Sequence, residues 1–173
     1  MSGRKSKNKG KSYERDVANF LSELYGESFT RVPYSGAFVG GQNIKRTETL
    51  SEDQTRGYKG DIHPGPSFPK LVIEAKNYAE FSWSSLALNK SSAQLDEWIQ
   101  QAIDSCEPED MWLLCVKITR QGQFVLWDPS MWSMPYLNTR NGPDFVNAYK
   151  QYVYKEYDAF WKTHAEWVKT HSK

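Results

Sequence analysis

Three charged residues, Asp61, Glu74 and Lys76, have the types and spacing needed to hydrolyse a phosphodiester. A phosphodiester is attacked slowly because its negative charge repels the nucleophile, and a divalent metal relieves this repulsion by neutralising charge and orienting the nucleophile. Magnesium prefers oxygen ligands and keeps several waters, so one or two carboxylates suffice to hold it. A nearby lysine can orient the attacking water or stabilise charge in the transition state.

The strand that carries Glu74 and Lys76 determines whether the two side chains can act together. Residues 71–76 form the clearest strand pattern in the sequence, and because side chains alternate between faces, Glu74 and Lys76 project to the same side, with Val72 behind them. Asp61, at the start of the preceding strand, is the predicted partner carboxylate. A Glu-x-Lys tripeptide alone is expected roughly once by chance in such a chain, with a surface ion pair as its alternative interpretation. The strand placement and Asp61 favour the catalytic site.

The apolar spacing of the rest of the chain predicts the elements that position these residues. The pattern is a helix, three short strands, a second helix capped by Ser91 or Ser92, a hairpin and a long C-terminal helix. These elements are expected at residues 12–25, 29–33, 61–62, 71–76, 92–103, 111–118, 123–127 and 144–170. The order is typical of an α/β protein with a mixed sheet flanked by helices.

The chain length of 173 residues fits one domain, and 39% hydrophobic and 14% aromatic residues predict a globular protein. We expect a basic flexible tail at 1–11 and a catalytic domain at 12–143, with a long polar loop at 36–60. The helix at 144–173 would pack on the same domain or at a dimer interface.

No segment resembles a signal peptide, and the apolar runs are too short to span a membrane. Cys106 and Cys115 form neither a disulfide framework nor a metal-ligand cluster, and their expected role is that of core thiols. A cytoplasmic location is therefore expected.

Positive charge is concentrated at the N-terminus, although the net charge is only +1. Such a segment can bind phosphates by releasing their counterions. The open alternative is a solvated terminus without a specific partner. The basic residues concerned are Arg4, Lys5, Lys7, Lys9, Lys11 and Arg15.

Two other patterns do not predict sites. Residues 10–12 read Gly-Lys-Ser, as in a phosphate-binding loop, but Lys5 occupies the position of the required glycine and no strand precedes it, so a nucleotide cofactor is not expected. His63, His164 and His171 lack zinc-ligand spacing. His63 is interpreted as a turn residue, with a substrate contact as the alternative.

Taken in order, these motifs resemble the PD-(D/E)xK nuclease superfamily, and within it most closely the archaeal-type Holliday-junction resolvases. The match extends from about Lys9 to Trp127. It implies a restriction-endonuclease-like mixed central sheet flanked by helices, to which this chain adds a C-terminal helix. The chain departs from the resolvases at residues 36–60, which intervene between the matched serine and aspartate.

The resemblance implies a metal site and assigns its residues. The aspartate and glutamate that hold Mg²⁺ correspond to Asp61 and Glu74, together with the carbonyl of Ala75, and we expect Mn²⁺ to substitute. The lysine that positions or activates water corresponds to Lys76. The helix glutamate that completes the metal shell corresponds to Glu14, for which the alternative is a carboxylate favoured by the dipole near a helix N-terminus.

Further polar residues correspond to groups around this site. Arg31 and Ser35 match an arginine and a serine that serve catalysis or bind the scissile phosphate, so both belong to the predicted DNA contacts. Gln94, with Trp98 one turn later, resembles the glutamine that many members place on the following helix. Its alternative is a surface position in the first helical turn.

The resemblance therefore predicts a Mg²⁺-dependent endodeoxyribonuclease that cuts branched DNA and is encoded by a prokaryote or a phage. A homodimer is expected by analogy, since a symmetric junction needs two cuts. A restriction, homing or repair nuclease of the same fold is one alternative. A catalytically inactive DNA-binding module is another.

Overall fold

Helices and strands alternate along the residues described by this computed structural model, which are 2–33, 59–88, 90–132 and 146–173. The helices are α1 (Ser2–Tyr25), α2 (Trp83–Ala87), α3 (Ala93–Asp104) and α4 (Tyr157–His171). The strands are β1 (Thr30–Arg31), β2 (Ile62–His63), β3 (Leu71–Tyr78), β4 (Met111–Ile118), β5 (Gly122–Trp127), β6 (Asn147–Tyr149) and β7 (Tyr152–Glu156).

The strands form one mixed sheet in the order β1-β2-β3-β4-β5-β7-β6. β3 and β4 are parallel, with Leu71 opposite Met111 and Tyr78 opposite Ile118, and their connection contains α2 and α3. The other pairs are antiparallel, including β2 with β3, where Ile62 lies opposite Ile73. The predicted mixed sheet with flanking helices is confirmed.

Each face of the sheet contributes to a separate apolar core. Ile73 and Ala75 of β3 pack in a cluster with residues of α1 and α4, whereas Val72 packs on the opposite side with Trp98 of α3. The alternation along β3 thus explains both cores, because successive side chains of a strand point to opposite faces. The largest fully buried side chains include Trp98, Trp112, Trp127, Tyr13, Phe68 and Phe160.

The predicted start of the first helix is wrong. The helix was expected to begin at Ser12, but α1 begins at Ser2. Lysine and arginine have high helix propensity, and the Asn77 side-chain amide donates a hydrogen bond to the Lys9 carbonyl at 3.2 Å. This contact joins the basic end of α1 to the end of β3. The helix ends as predicted, where Gly26 adopts a φ of 66°.

The predicted long C-terminal helix is wrong before residue 157. Residues 146–156 contain the β6–β7 hairpin, and the helix, α4, begins only at Tyr157. Tyrosine and valine have high strand propensity, and Lys150 adopts a φ of 54° in the turn. Residues 128–143, between the predicted hairpin and the predicted C-terminal helix, lie partly outside the described residues. The helix α4 packs within the domain through side chains such as Phe160 and Val168.

The β6–β7 hairpin is attached to the N-terminus of α3. The Tyr149 hydroxyl accepts a hydrogen bond from the backbone N–H of Ser92, the N-cap of α3, at 2.8 Å. Lys150 Nζ lies 2.7 Å from a carboxylate oxygen of Asp96.

None of the helices in the described ranges has the length and apolar content that crossing a membrane would require.

Candidate active site

Backbone contacts hold Asp61 against β3. Its N–H donates to the Ile73 carbonyl at 2.8 Å, and its own carbonyl accepts from the Val32 N–H at 2.9 Å. Gly60 immediately before it adopts a φ of 66°. The Ala75 N–H donates to Asp61 Oδ2 at 3.0 Å, so both the backbone and the side chain of Asp61 are fixed relative to the strand.

The structure brings Asp61, Glu74 and Lys76 together as the alternation on β3 predicts. Lys76 Nζ lies 2.9 Å from Glu74 Oε2 and 3.7 Å from Asp61 Oδ2. The two acidic residues are almost fully buried, at 9% exposed for Asp61 and 6% for Glu74. Two carboxylates therefore share one buried ammonium group.

Burial and mutual charge shift the pKa values of Glu74 and Lys76 in this cluster. Burial raises the pKa of Glu74 well above its usual range, and the negative charge of Asp61 raises it further against the opposing effect of Lys76. Burial acts to lower the pKa of Lys76, but the charges of Glu74 and Asp61 outweigh it, so the pKa of Lys76 is raised. A divalent cation would compensate the excess negative charge.

The oxygen donors fit a magnesium ion. In a β-strand the N–H and C=O of one residue lie along the same edge, so the Ala75 carbonyl faces the edge on which its N–H contacts Asp61. No group of three histidine, cysteine, aspartate or glutamate side chains suited to a metal occurs within the described ranges. Two carboxylates, one carbonyl and waters are nevertheless a sufficient set for Mg²⁺.

Glu14 and Arg31 form an ion pair beside this cluster. Glu14 lies on α1 and Arg31 on β1, in register with Ile62 of β2. Burial raises the pKa of Glu14, and the charge of Asp61 raises it further, whereas Arg31 opposes the shift. The sequence predicted both residues near the site but did not predict that they pair with each other.

The other predicted site residues have different positions. Gln94 is half-buried in the first turn of α3, and Trp98 is a core residue. Ser35 lies outside the described residues, as does most of the predicted loop at 36–60. The basic residues of the first segment all lie on α1, namely Arg4, Lys5, Lys7, Lys9, Lys11 and Arg15.

Among the described residues, Ser105 contacts the cluster and was not predicted from the sequence. The Ser105 hydroxyl donates to Glu74 Oε1 at 3.1 Å and to the Gln101 carbonyl at 2.9 Å. Ser105 is the C-cap of α3. No local signal could identify it, because its relation to Glu74 depends on how α3 packs on the sheet.

For the metal-free protein, the raised pKa of Glu74 predicts how the free energy of unfolding depends on pH. Because the folded-state pKa of Glu74 is raised above the ordinary glutamate value of 4.5, the unfolded state loses this proton first as pH rises. The free energy of unfolding should therefore fall between about pH 4.5 and the raised pKa. Glu74→Gln should reduce this decline, as measured by thermal unfolding in EDTA at pH 5 to 8.

Glu80→Gln, at an exposed position, serves as the control and should leave the decline unchanged. Added Mg²⁺ should stabilise the wild-type protein at the upper end of this pH range more than Glu74→Gln. Equal pH slopes for wild type and Glu74→Gln would contradict the assignment of the buried charge to Glu74.

Comparison with known families identifies the chain. A family model described as "Phage putative PDDEXK endonuclease" matches residues 5–173. The chain belongs to this endonuclease family. The prediction of a PD-(D/E)xK nuclease is confirmed, and the matched range of this phage family includes the C-terminal segment that the resemblance from sequence had left out.

One curated protein that is similar to this chain is "Protein D14" of Escherichia phage T5. It is 35% identical over 109 residues, which cover 61% of this chain and 58% of the relative. The match thus spans less than two thirds of the relative's length. No solved structure matches the chain.

Proposed function

We propose that this PD-(D/E)xK endonuclease hydrolyses DNA phosphodiesters in a Mg²⁺-dependent reaction, with Mn²⁺ able to substitute and branched DNA preferred. The observation that carries the proposal is the pair of buried carboxylates, Asp61 and Glu74, that share the Lys76 ammonium at one edge of β3. Burying two carboxylate charges together is costly. A site that receives a cation and a phosphate explains the arrangement.

Asp61, Glu74 and the Ala75 carbonyl would hold the ion. When bound, Mg²⁺ would neutralise charge that develops on the phosphate and orient the nucleophile. Without a bound cation, the charges of Glu74 and Asp61 raise the pKa of Lys76. Lys76 would position or activate the attacking water, or stabilise charge on the phosphate.

Neighbouring side chains support these groups. The hydrogen bond from Ser105 holds one oxygen of Glu74, and Lys76 contacts the other. Arg31 offers a guanidinium suited to a phosphate, while its pairing with Glu14 would fix its orientation. Glu14 would complete the metal site, and we propose Gln94 and Ser35 as further catalytic residues, with Ser35 also contacting the DNA.

Positive charge at one end of the sheet favours a polyanionic substrate. The Lys9 carbonyl contacts Asn77 directly after Lys76, and Lys117 lies opposite Asn77 in the sheet. The turn after β4 adds Arg120, which is exposed. Cations at this end of the sheet can bind the phosphates of a nucleic-acid backbone.

Cleavage of matched four-way junction, flap, linear duplex and plasmid DNAs, with Mg²⁺ or with EDTA, tests the proposal. We expect Mg²⁺-dependent cutting with faster cleavage of the branched substrates by the wild-type protein. If the junction is cut no faster than the duplex, the branched preference fails and a restriction, homing or repair nuclease remains. If no DNA is cut, the inactive binding module is favoured.

Sedimentation with and without junction DNA tests the expected homodimer.

A further inference from the structure

The strand that carries the proposed catalytic residues ends in an exposed tyrosine. Glu74, Lys76 and Tyr78 occupy alternate positions on β3, so their side chains project from the same face of the sheet. Exposure rises along this row, from 6% at Glu74 to 41% at Tyr78. Tyr78 thus stands where the buried site opens to solvent.

The ring of Tyr78 is supported from behind. Its centroid lies 4.6 Å from that of Trp98, which is 1% exposed and itself stacks on Phe81 with centroids 5.9 Å apart. The Tyr78 carbonyl accepts a hydrogen bond from the Thr119 N–H at 2.8 Å. One side of the ring is therefore packed on a fixed aromatic cluster, and the backbone that carries it is held.

The surroundings of this ring suit a nucleic acid. Tyr78 lies two residues after Lys76 on the same face of β3, and the exposed Arg120 lies in the turn that follows Ile118, the residue opposite Tyr78 on β4. Among the exposed large hydrophobic side chains of the described residues, Tyr78 is the aromatic one. An exposed aromatic ring bordered by cations is the combination on which unpaired bases stack.

We propose that Tyr78 is a stacking platform for a nucleobase next to the scissile phosphate. This inference rests on the proposed function and deepens it. A base inside a continuous duplex already has both faces covered by its neighbours, whereas a base at a branch point or in a single strand can leave the stack. Tyr78 would therefore contribute to a preference for DNA with unstacked bases beside the cleavage site.

Fluorescence of 2-aminopurine placed on either side of the cleavage position tests the platform. Ca²⁺ would replace Mg²⁺, so that binding is measured without cutting. We expect wild type and Tyr78→Phe to quench the probe and Tyr78→Leu to lose the quenching. In Mg²⁺, Tyr78→Leu should raise KM about tenfold to a hundredfold, with a smaller effect on kcat.

Tyr154→Leu is the matched control, because Tyr154 is half-buried and packs on Phe124 at 5.6 Å. It removes an aromatic ring outside the catalytic strand and should retain both quenching and KM. Thermal unfolding checks that Tyr78→Leu is folded. Quenching that persists in Tyr78→Leu overturns the platform, and so does an equal loss in Tyr78→Phe, which would implicate the hydroxyl.

The proposed function can fail separately. A wild-type protein that binds and quenches the probe in Ca²⁺ but cuts no DNA in Mg²⁺ would refute catalysis and support the platform. A wild-type protein that cuts DNA without quenching at either position would support catalysis and refute the platform.

Discussion

Asp61→Asn should lower Mg²⁺-dependent cleavage by about 10³-fold or more, because one carboxylate ligand contributes several kcal/mol of charge stabilisation in such sites. The same change should leave the metal-free protein as stable as the wild type or more stable. Asparagine can still accept the hydrogen bond that Asp61 Oδ2 receives from the Ala75 N–H. It also removes one of the two acidic groups that share Lys76.

Single-turnover cleavage and thermal unfolding in EDTA measure the two effects on one protein preparation. Asp104→Asn, which changes an exposed aspartate at the end of α3, is the control and should keep full activity. Cleavage by Asp61→Asn at the wild-type rate, or cleavage that survives chelation, would refute the metal mechanism. A large loss of stability together with activity would show that Asp61 is chiefly structural.

Gly60→Ala should lower the free energy of unfolding by about 2–5 kcal/mol. Gly60 has a φ of 66°, which L side chains rarely adopt, and an added Cβ would lie 2.6 Å from the Ile73 carbonyl oxygen. That oxygen accepts the Asp61 N–H. Relief of the clash must therefore move Asp61 relative to β3, so cleavage should fall as well.

Gly26→Ala separates the effect of the positive φ from the effect of the steric clash. Gly26 has the same φ of 66°, but nothing lies within 4 Å of an added Cβ. It should cost only the backbone strain, about 1–2 kcal/mol, and leave cleavage unchanged. Urea unfolding of both variants measures the difference. Equal losses at the two positions would mean that the contact with Ile73 is relieved without strain.

The central strands and the acidic pair could be predicted because their signals are local. β4 spans Met111–Ile118 as expected, since a strand buried on both faces reads as a continuous apolar run. The alternation on β3 likewise places Glu74 beside Lys76 without knowledge of the rest of the chain. The family match confirms the nuclease class that this pattern indicated.

The predicted bounds of the first and last helices were wrong because the local sequence there is compatible with more than one secondary structure. Tyr149, Tyr152 and Val153 follow at intervals that suit one helical face, and the same residues form a hairpin when Lys150 turns the chain with a positive φ. At the N-terminus, Ser12 resembles a helix cap, but the helix continues through it. The contact of Ser105 with Glu74 depends on tertiary packing and left no trace in either local sequence.

The two ends of α3 connect the C-terminal hairpin and helix to the proposed active site. Its first turn is held by Tyr149 and Lys150 of the β6–β7 hairpin, and its last residue precedes Ser105, which contacts Glu74. No proposed catalytic residue comes from the hairpin or α4. Removing them would nevertheless release one end of a helix whose other end leads to Ser105, which contacts the proposed metal ligand Glu74. The smallest active fragment of this endonuclease should therefore include its C-terminal hairpin and helix.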